Sequence, residues 1–391
     1  QACTTGIQNT ALGRSALAAL TTGQFDVAVG QSALQNNTTA SNNTGMGYNA
    51  LFANTTGSAN VAVGTGALDA NTTADFNTAI GRHALGANTT GHSNVAVGAL
   101  SLDANTTGNE NVGIGYQALG ANTTGGLNVA VGQNALDANT TGVQNVAVGQ
   151  GALGDSSTGN YNTAVGRVSL GSNTTGFKNV AVGAFALDAN TNGENNTAVG
   201  YNALTNSTGN FNTALGREAG SHLSSGGNNL LLGRNAGTST SPSGSLTTSG
   251  NNVCLGDNNI SDLFCADTSI SSSDSRDKTD IASFNIGLAW INALRPVTYK
   301  WDRRTWYGTD AEPFGTPDGS KKRTKTHIGF LAQEALEVEK ANGYGSSNDD
   351  SLVVNLTEDG MSYGMKYERL VPILVNAIKE LSAKVTALEA G

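Results

Sequence analysis

Ser273 and Lys278 are the residues of this chain whose types and spacing first suggest chemistry. A serine hydroxyl beside a neutral lysine amine can act as a nucleophile that a base activates. The two residues lie at the end of a Ser-rich stretch that starts at Thr268, and an ordinary exposed turn would have the same composition. The pair alone is therefore weak evidence, and the sequence around it has to decide between the two interpretations.

The composition of the chain changes sharply near the same point. Residues 1–256 contain 6 Lys and Arg and 10 Asp and Glu, whereas residues 257–391 contain 15 and 20. A shift this abrupt is typical of a domain boundary. We predict three segments: a repetitive shaft at 1–237, a Ser/Thr/Gly-rich tip or connector at 238–272, and a separate domain at 273–391.

Four motifs follow the boundary in a fixed order. They are SDSRDK at 273–278, LRPVTYKW at 294–301, HIGFLAQE at 327–334, and Tyr367 with Leu370 ahead of a terminal helix. In order and spacing they resemble the peptidase S74 family, the C-terminal intramolecular chaperones of phage tail spikes and tail fibres. The resemblance implies that Ser273 is the nucleophile and Lys278 its general base, in a self-cleavage at the Ser272–Ser273 bond. His327 and Glu334 lie in a matching motif, where they either orient groups or pack in the core.

Such a cleavage requires a neutral lysine. Burial disfavours the charged form of an amine, so a desolvated Lys278 can accept the proton of the Ser273 hydroxyl. A spacing of five residues does not align on one face of a helix. We therefore expect Ser273 on a turn ahead of a helix that carries Lys278, or the two groups meeting across subunits. In the second arrangement, cleavage would depend on correct assembly.

A 17-residue repeat fills the N-terminal segment and predicts its architecture. An Asn, once Asp26, is followed four residues later by Gly, from Asn9 and Gly13 to Asn196 and Gly200, and three looser copies come after them. Between the two stand Val or Thr, a small residue and a large aliphatic residue, an alternation that indicates a short strand. An Ala-Leu pair three residues after the Gly predicts a second inward anchor, and Asn-Thr-Thr-Gly predicts a turn.

Stacked repeats of this kind predict a parallel β-solenoid, because a 17-residue coil cannot bury its own aliphatic row. We expect the large strand residues to form a continuous Val and Leu core, and the repeated Asn to form a ladder of amide hydrogen bonds between coils. The small strand residue would then face outward against another backbone, which predicts a homotrimer. This residue occurs, for example, as Ala28, Ala62, Ala96, Ala130, Ala164 and Ala198. The repeats also resemble the heads of trimeric autotransporter adhesins and the Asn-Thr-Ala-x-Gly arrays of phage tail fibres.

The domain at 273–391 is predicted to be small and α+β. Apolar spacing indicates a helix over 281–294, and alternation indicates strands at 297–301, 328–331 and 352–356. The final helix, at 370–390, carries a heptad seam that predicts a parallel coiled coil. The alternative is one amphipathic helix packed on its own domain. The seam consists of Val371, Leu374, Ile378, Leu381, Val385 and Leu388.

Charge and cysteine content limit the kinds of partner and the compartment that we expect for this protein. A net charge of −9 with scattered Lys and Arg argues against binding to nucleic acid or to an anionic membrane, and we also expect no membrane insertion. Cys3, Cys254 and Cys265 are odd in number and lack metal-ligand spacing, so we expect thiols, assembly in a reducing host cytoplasm, no metal and no cofactor. The chain opens at Gln1 without an initiator Met and lacks a long apolar run. We expect a soluble product with a missing upstream part that joins it to other tail or baseplate proteins.

Three functions remain open from the sequence. The leading one is a structural fibre of a virion tail, or of a related injection system, that attaches to a glycan or protein receptor on the host and carries a self-cleaving chaperone. A tailspike that cleaves surface glycans is the second, and it would need clustered carboxylates on the shaft. The corner residues Asp69, Asp103, Asp137 and Asp188 occur singly and are more simply turn formers. The third is a bacterial trimeric adhesin, which we would expect to end in a membrane anchor in place of the heptad helix.

Overall fold

The computed structural model describes residues 4–260, 279, 281–308, 312, 314–347, 350–356 and 363–390. The chain divides into two compact units. The first unit consists of residues 1–238 and 246–256, and the second of residues 239–245 and 257–391.

The first unit is the predicted parallel β-solenoid. Its strands form one sheet in sequence order, and most residues pair with the residue 17 positions later, as Val61 does with Thr78. With one strand layer per ~4.8 Å, the stack is roughly 65 Å long. The strands are β1 Thr10–Leu12, β2 Val27–Val29, β3 Thr44–Met46, β4 Val61–Val63, β5 Thr78–Ile80, β6 Val95–Val97, β7 Val112–Ile114, β8 Val129–Val131, β9 Val146–Val148, β10 Thr163–Val165, β11 Val180–Val182, β12 Thr197–Val199, β13 Thr213–Leu215, β14 Leu230–Leu232 and β15 Val253–Leu255.

The strands face the opposite way from the sequence prediction. In β2–β15 the middle residue of each strand lies inside the coil, and the six alanines expected to face a partner are fully buried within one chain: Ala28, Ala62, Ala96, Ala130, Ala164 and Ala198. The first and third residues point outward, so that Ile80 is 41% exposed and Val182 is 37% exposed. The predicted inward aliphatic row and the predicted outward alanine face are therefore both wrong.

The width of the coil interior explains this reversal. At Gly45, which stands where most coils have Ala, an added Cβ would lie 3.2 Å from Leu34 Cγ on the opposite wall. That wall is built by the Leu of each Ala-Leu pair, and Leu34, Leu68 and Leu136 are fully buried, which confirms the predicted second anchor. The three leucines have φ of 50–51°, a conformation that costs an L-residue ~1–2 kcal/mol. Burial of a leucine side chain stabilises the fold by ~1.5–3 kcal/mol and offsets that strain.

A reversed pair near the end of the stack supports the volume argument. The coil of β13 has Gly220, and the coil of β14 has Gly237, where the twelve earlier coils have the inward Leu, whereas β14 has Leu231 where most strands have Ala. Leu231 is fully buried, and a Cβ on Gly220 would lie 2.6 Å from its Cδ1 atom. Here the strand supplies the large side chain and the opposite wall supplies the glycine. The interior therefore holds one large side chain at this level, and either the strand or the opposite wall can supply it.

Two ladders of buried asparagines join the coils. In the predicted ladder, the side-chain and backbone nitrogens of Asn94 both donate to Asn77 Oδ1, at 3.2 and 3.0 Å. The sequence prediction missed a second ladder, which runs through the Asn of the Asn-Thr-Thr-Gly turn, where Asn88 Nδ2 donates to Asn71 Oδ1 at 3.0 Å. The same amide donates to the carbonyl of Gly91 at 2.9 Å. These bonds satisfy polar groups that would otherwise be costly to bury.

Asp26 is the one carboxyl group in the predicted ladder. It is fully buried, and its two oxygens accept hydrogen bonds from Asn37 Nδ2 at 3.1 Å and from the backbone N–H of Asn43 at 2.8 Å. Burial raises the pKa of Asp26 to about 6, because the hydrogen bonds from Asn43 and Asn37 offset only part of the desolvation.

The second unit is the predicted small α+β domain. Strands β16 and β17 pair antiparallel, as do β18 and β19. The predicted helix over 281–294 is shorter than expected, because it begins only at Leu288. The elements are α1 Leu288–Ala293, β16 Val297–Tyr299, β17 His327–Gly329, α2 Ala332–Ala341, β18 Val354–Leu356, β19 Tyr363–Met365 and α3 Leu370–Glu389, with single 3-10 turns at Arg304–Trp306 and Tyr367–Arg369. In the part of the chain that the structure describes, none of these helices is long and apolar enough to cross a membrane.

A small apolar core holds the second unit together. Its buried residues include Trp290 of α1, Ala335 of α2, Ile373 of α3, and Val353, which directly precedes β18. The core therefore connects the first helix of the unit with the last.

Moving the large side chain from Leu231 back to the opposite wall tests the volume rule, that is, whether the interior accepts one large side chain from either wall. Leu231→Ala should lower the free energy of unfolding by ~2–5 kcal/mol, because it leaves a cavity beside Gly220. Adding Gly220→Leu should recover a large part of this loss, since it restores the arrangement of the twelve earlier coils. Thermal and denaturant unfolding of the two variants measures this. A double variant that is less stable than Leu231→Ala alone would contradict the rule.

The substitution Asp26→Asn should change the pH dependence of the stability of the solenoid. Because its pKa is raised from 3.8 to about 6, its protonation stabilises the folded state below pH 4 and this contribution is lost as the pH rises through 6. Asp26→Asn should therefore stabilise coils 1 to 3 at pH 7, by up to about 3 kcal/mol, and change little at pH 4. Hydrogen exchange of residues 26–44, compared between the two proteins at each pH, measures the difference. A difference that is the same at both pH values would show that the carboxyl does not titrate in this range.

Candidate functional site

The predicted dyad lies outside the described residues. This applies to Ser273, to Lys278 and to the Ser272–Ser273 bond. The candidate site is therefore built from the described residues of the same unit, which begin again just downstream of Lys278.

The chain just beyond the dyad is tied to the terminal helix. Asn376 Nδ2 of α3 donates to the carbonyl oxygens of Phe284 at 2.6 Å and of Ile286 at 3.2 Å. One turn further along α3, Glu380 Oε2 accepts the backbone N–H of Leu288 at 3.2 Å. A carboxylate at this place satisfies one of the open N–H groups at the start of α1. Helix α3 thus fixes the path of the chain six residues after Lys278.

Helix α3 uses one face for this contact and leaves another exposed. Leu370, Ile373 and Ala377 are buried against the domain. The seam predicted from the heptads is exposed within one chain, at 57% for Val371, 42% for Leu374, 66% for Ile378, 51% for Leu381, 44% for Val385 and 82% for Leu388. The helix therefore packs on its own domain through one face, and the predicted coiled-coil seam lies on a different face.

His327 lies in an aromatic cluster. Its ring stacks on Tyr299, the residue opposite it in the β16–β17 pair, with the ring centres 5.6 Å apart and the planes 19° apart. The edge of Trp301 approaches it at 6.3 Å. The ring is partly buried, so of the two roles that the sequence left open for His327, packing is the one the geometry supports.

Glu334 occupies a different environment. Its carboxylate accepts two hydrogen bonds from the Arg295 guanidinium, from Nε at 3.1 Å and from Nη2. Hydrogen bonding to Arg295 lowers the pKa of Glu334, and both side chains are about half exposed. Packing in the core, the other role considered for Glu334, is therefore wrong. The motif that carries His327 and Glu334 does not bring the two side chains into one site.

The polar loop between β16 and β17 is covered by cations that lie on aromatic rings. Arg303 lies 4.4 Å from the centre of the Trp301 ring, and Arg323 lies 5.0 Å from that of Trp306. The Lys321 ammonium lies 5.1 Å from the centre of the Tyr307 ring. Cation–π contacts of this kind stabilise a loop by ~0.5–1 kcal/mol each at exposed sites. These basic residues therefore have local structural partners within the loop.

Glu339 is a polar residue of this unit that the sequence reasoning missed. Its side chain is fully buried, and its carboxylate accepts the backbone N–H groups of Val353 at 2.6 Å and Val354 at 2.9 Å through one oxygen. The other oxygen accepts from Leu352 N at 3.1 Å and Ser351 Oγ at 2.9 Å. One carboxylate on α2 thus holds the segment that enters β18. A single Glu on an amphipathic helix gives no sequence signal for such a role.

Between Asp69 and Asp137, the corner carboxylates of the shaft alternate with glycines. Asp69 Oδ1 and Asp103 Oδ1 approach the same point beside Gly86, at 3.7 and 2.7 Å from where its Cβ would lie. Burial raises the pKa of both carboxyls, and the nearby His83 lowers it in part. Among the described residues, no group of three or more His, Cys, Asp or Glu side chains is arranged to hold a metal ion.

Comparison with known families gives one match. Residues 273–344 match the family model described as peptidase S74, chaperone of endosialidase. The match starts at Ser273, where the composition of the chain changes, and it includes His327 and Glu334. No curated protein and no solved structure matches the chain. A parallel β-solenoid combined with a segment of this family fits a protein of the tail-fibre or tailspike type.

Replacing the buried carboxylate of Glu339 should loosen β18. In Glu339→Gln, one oxygen becomes an NH₂ group that faces backbone N–H donors, which should cost ~1–3 kcal/mol of unfolding free energy. Hydrogen exchange of residues 352–354 should speed up. Glu337→Gln, on the exposed face of the same helix, is the matched control and should leave this exchange unchanged. Equal exchange in the two variants would show that the carboxylate is not what holds the segment.

Proposed function

We propose that this protein is the trimeric shaft of a viral tail fibre, and that its C-terminal domain aligns three chains and then detaches by self-cleavage between Ser272 and Ser273. The observation that carries the proposal is the pair of exposed apolar surfaces within one chain. One is the seam of α3, and the other is the outward face of the solenoid strands.

The outward strand face supports assembly of the shaft. Its third residue is aliphatic in all fifteen strands and its first is Val, Thr or Leu. We call these outward residues of β1–β15 the aliphatic band. An apolar surface that runs the whole length of the solenoid is far larger than the isolated apolar residues that a monomer exposes. Three chains whose aliphatic bands face a common axis would bury it, and this band takes the role that the sequence prediction gave to the alanines.

The seam of α3 supports a role in alignment. The aliphatic band is nearly the same in every coil, so two shafts slipped by one coil would pack almost as well as two aligned ones. A parallel three-stranded coiled coil at the end of each chain removes this freedom before the shafts associate. The match to a chaperone family agrees with this order of events.

The contact between α3 and residues 284–288 supports coupling between assembly and cleavage. The helix that carries the seam also holds the chain downstream of Lys278, through Asn376 and Glu380. Once the helices assemble, the dyad is held near a subunit boundary, where exclusion of water favours a neutral Lys278. Ser273 Oγ then attacks the carbonyl carbon of Ser272. Lys278 takes the hydroxyl proton and delivers it to the departing amine of Ser273, and water hydrolyses the resulting ester.

The remaining parts of the proposal concern location. The released shaft would be part of the virion tail after assembly in the host cytoplasm, with residues 238–272 at the end left by cleavage. A receptor on the host cell surface, either glycan or protein, would bind there, and other tail proteins would be the partners of the fibre in the virion. If the shaft instead cleaves glycans, Asp69 and Asp103 beside Gly86 are where its acid and base would lie, since paired carboxylates carry that chemistry.

Self-cleavage is tested on a denaturing gel of the wild-type chain beside Ser273→Ala and Lys278→Ala. Wild type should yield the fragment of residues 273–391, and each variant should retain the full-length chain, because either the nucleophile or the base is missing. A fragment in all three lanes at equal yield would remove the dyad from the mechanism.

A seam variant tests whether cleavage depends on assembly. Ile378→Asn with Leu381→Asn keeps the dyad and places two polar residues in the coiled coil, so both the trimer and the fragment should be lost. Lys379→Asn with Lys384→Asn changes residues outside the seam and should cleave as wild type does. Full cleavage of a monomeric seam variant would show that the dyad acts without assembly.

A further inference from the structure

Two rows of variable residues border the aliphatic band. The leading row contains the residue just before the ladder Asn of each coil, and the following row contains the residue just after the coil Gly. Members of both rows are exposed, for example Phe76 at 66% and Tyr116 at 47%. The strand residues between the rows hardly change from coil to coil, whereas the residues of these two rows change chemical type in nearly every coil.

The two rows are matched in a subset of the coils, which does not include Gln8 with Arg14 or Asn228 with Arg234. Three of the four coils with an aromatic residue in the leading row have Arg in the following row, and the fourth pairs Phe25 with Gln31. The aromatic and Arg residues are Phe76 with Arg82, Tyr161 with Arg167, and Phe211 with Arg217. An Arg guanidinium and an aromatic face form a favourable cation–π contact.

The coils with Tyr in the following row show a second kind of pair. Each of them has a polar side chain in the leading row that can form a hydrogen bond with a tyrosine hydroxyl. These pairs are Asn42 with Tyr48, Glu110 with Tyr116, and Asn195 with Tyr201. Small residues also occur together, as Ala59 with Thr65 and Ser93 with Ala99.

Contacts within one chain do not account for this matching. The two residues of a pair are six positions apart on opposite borders of the strand, which places them up to ~20 Å from each other. In the described part of a single chain, no cation–π contact joins these arginines to the aromatic residue of their own coil. Arg167 lies 5.0 Å from the ring centre of Phe185, one coil further on, and not on Tyr161.

A three-fold arrangement brings the two borders together. When three aliphatic bands face one axis, the leading border of each chain meets the following border of the next, because the interface of a cyclic trimer joins two different edges. A closed rotation has no shift along the axis, so residues at equal height meet. The chain climbs ~4.8 Å in 17 residues and hence roughly 2 Å in six, which is less than half a coil. The partner therefore lies in the same coil of the neighbouring chain.

We infer that each leading-row residue packs on the following-row residue of the same coil in the neighbouring copy of this chain, so that Phe76 receives Arg82 of its neighbour. This inference rests on the trimer proposed above and adds its register. The aliphatic band supplies most of the buried area. The border pairs supply the difference between aligned and slipped shafts, since a slip by one coil sets Phe76 against Ala99 or Thr65.

Cysteine cross-linking tests the pairing in the full chain, with Cys3 and Cys265 replaced by Ser and the buried Cys254 kept. In Phe76→Cys with Arg82→Cys, a short bis-maleimide should convert the chain into covalent trimers on a denaturing gel. Phe76→Cys with Tyr116→Cys, offset by two coils, is the matched control and should remain uncross-linked, as should each single variant. Tyr161→Cys with Arg167→Cys repeats the test at a second height.

Light scattering of the same samples separates this inference from the proposed function. A trimeric mass without same-coil cross-links overturns the border pairing and leaves the trimer standing. Cross-links at the offset pair show a slipped register and also overturn the pairing. A monomeric mass overturns both the pairing and the trimer.

Discussion

The narrow interior of the coil is the constraint on which the rest of the structure depends. A layer of 17 residues encloses room for one leucine side chain, two asparagine amides and little more, as the close approach of Gly45 to Leu34 shows. Once the leucine wall fills that space, the strand can present only a small residue inward. Its large aliphatic residues must then point away from the chain, although burial alone would favour the opposite. The packing of one coil thus creates an apolar surface that a single chain cannot cover.

Much of the fold follows from sequence periodicity, but the face of each strand that points into the coil does not. The spacing of Asn and Gly places every strand of the solenoid, and the repeated Asn predicts its ladder, because both signals depend only on stacking at a fixed period. Alternation shows that the two faces of a strand differ, and it does not show which face is inside when both are apolar. Ranking Val above Ala by hydrophobicity gives the wrong answer here. Volume decides the matter, and the exchange between Gly220 and Leu231 is the residue-level sign of it.

The second unit is less predictable because its important contacts join residues that are distant in sequence. The heptads of α3 are visible in the chain, whereas its hydrogen bonds to Phe284 and Leu288 span about 90 residues and leave no periodic trace. Glu339 is a similar case, since four donors from one short segment converge on it only after folding. The match to the chaperone family covers residues 273–344 of this region. It did not predict that His327 would stack on Tyr299 while Glu334 pairs with Arg295 in the open.

The repetition that stabilises the shaft also hides its alignment. Similar layers let most of the buried Asn and Leu residues meet a copy of themselves, which is favourable within a chain at any height. Between chains the same uniformity is a liability, because the aliphatic band of one coil cannot be told from that of the next. Register information has to come from residues that break the repeat, and the outward surface offers it in the two border rows and in the seam of α3. In the proposed trimer, the helix would act once, at the end of the chain, whereas the borders would act at each layer. A mismatch anywhere along the shaft would then oppose closure locally, whether or not the chaperone domain is still attached.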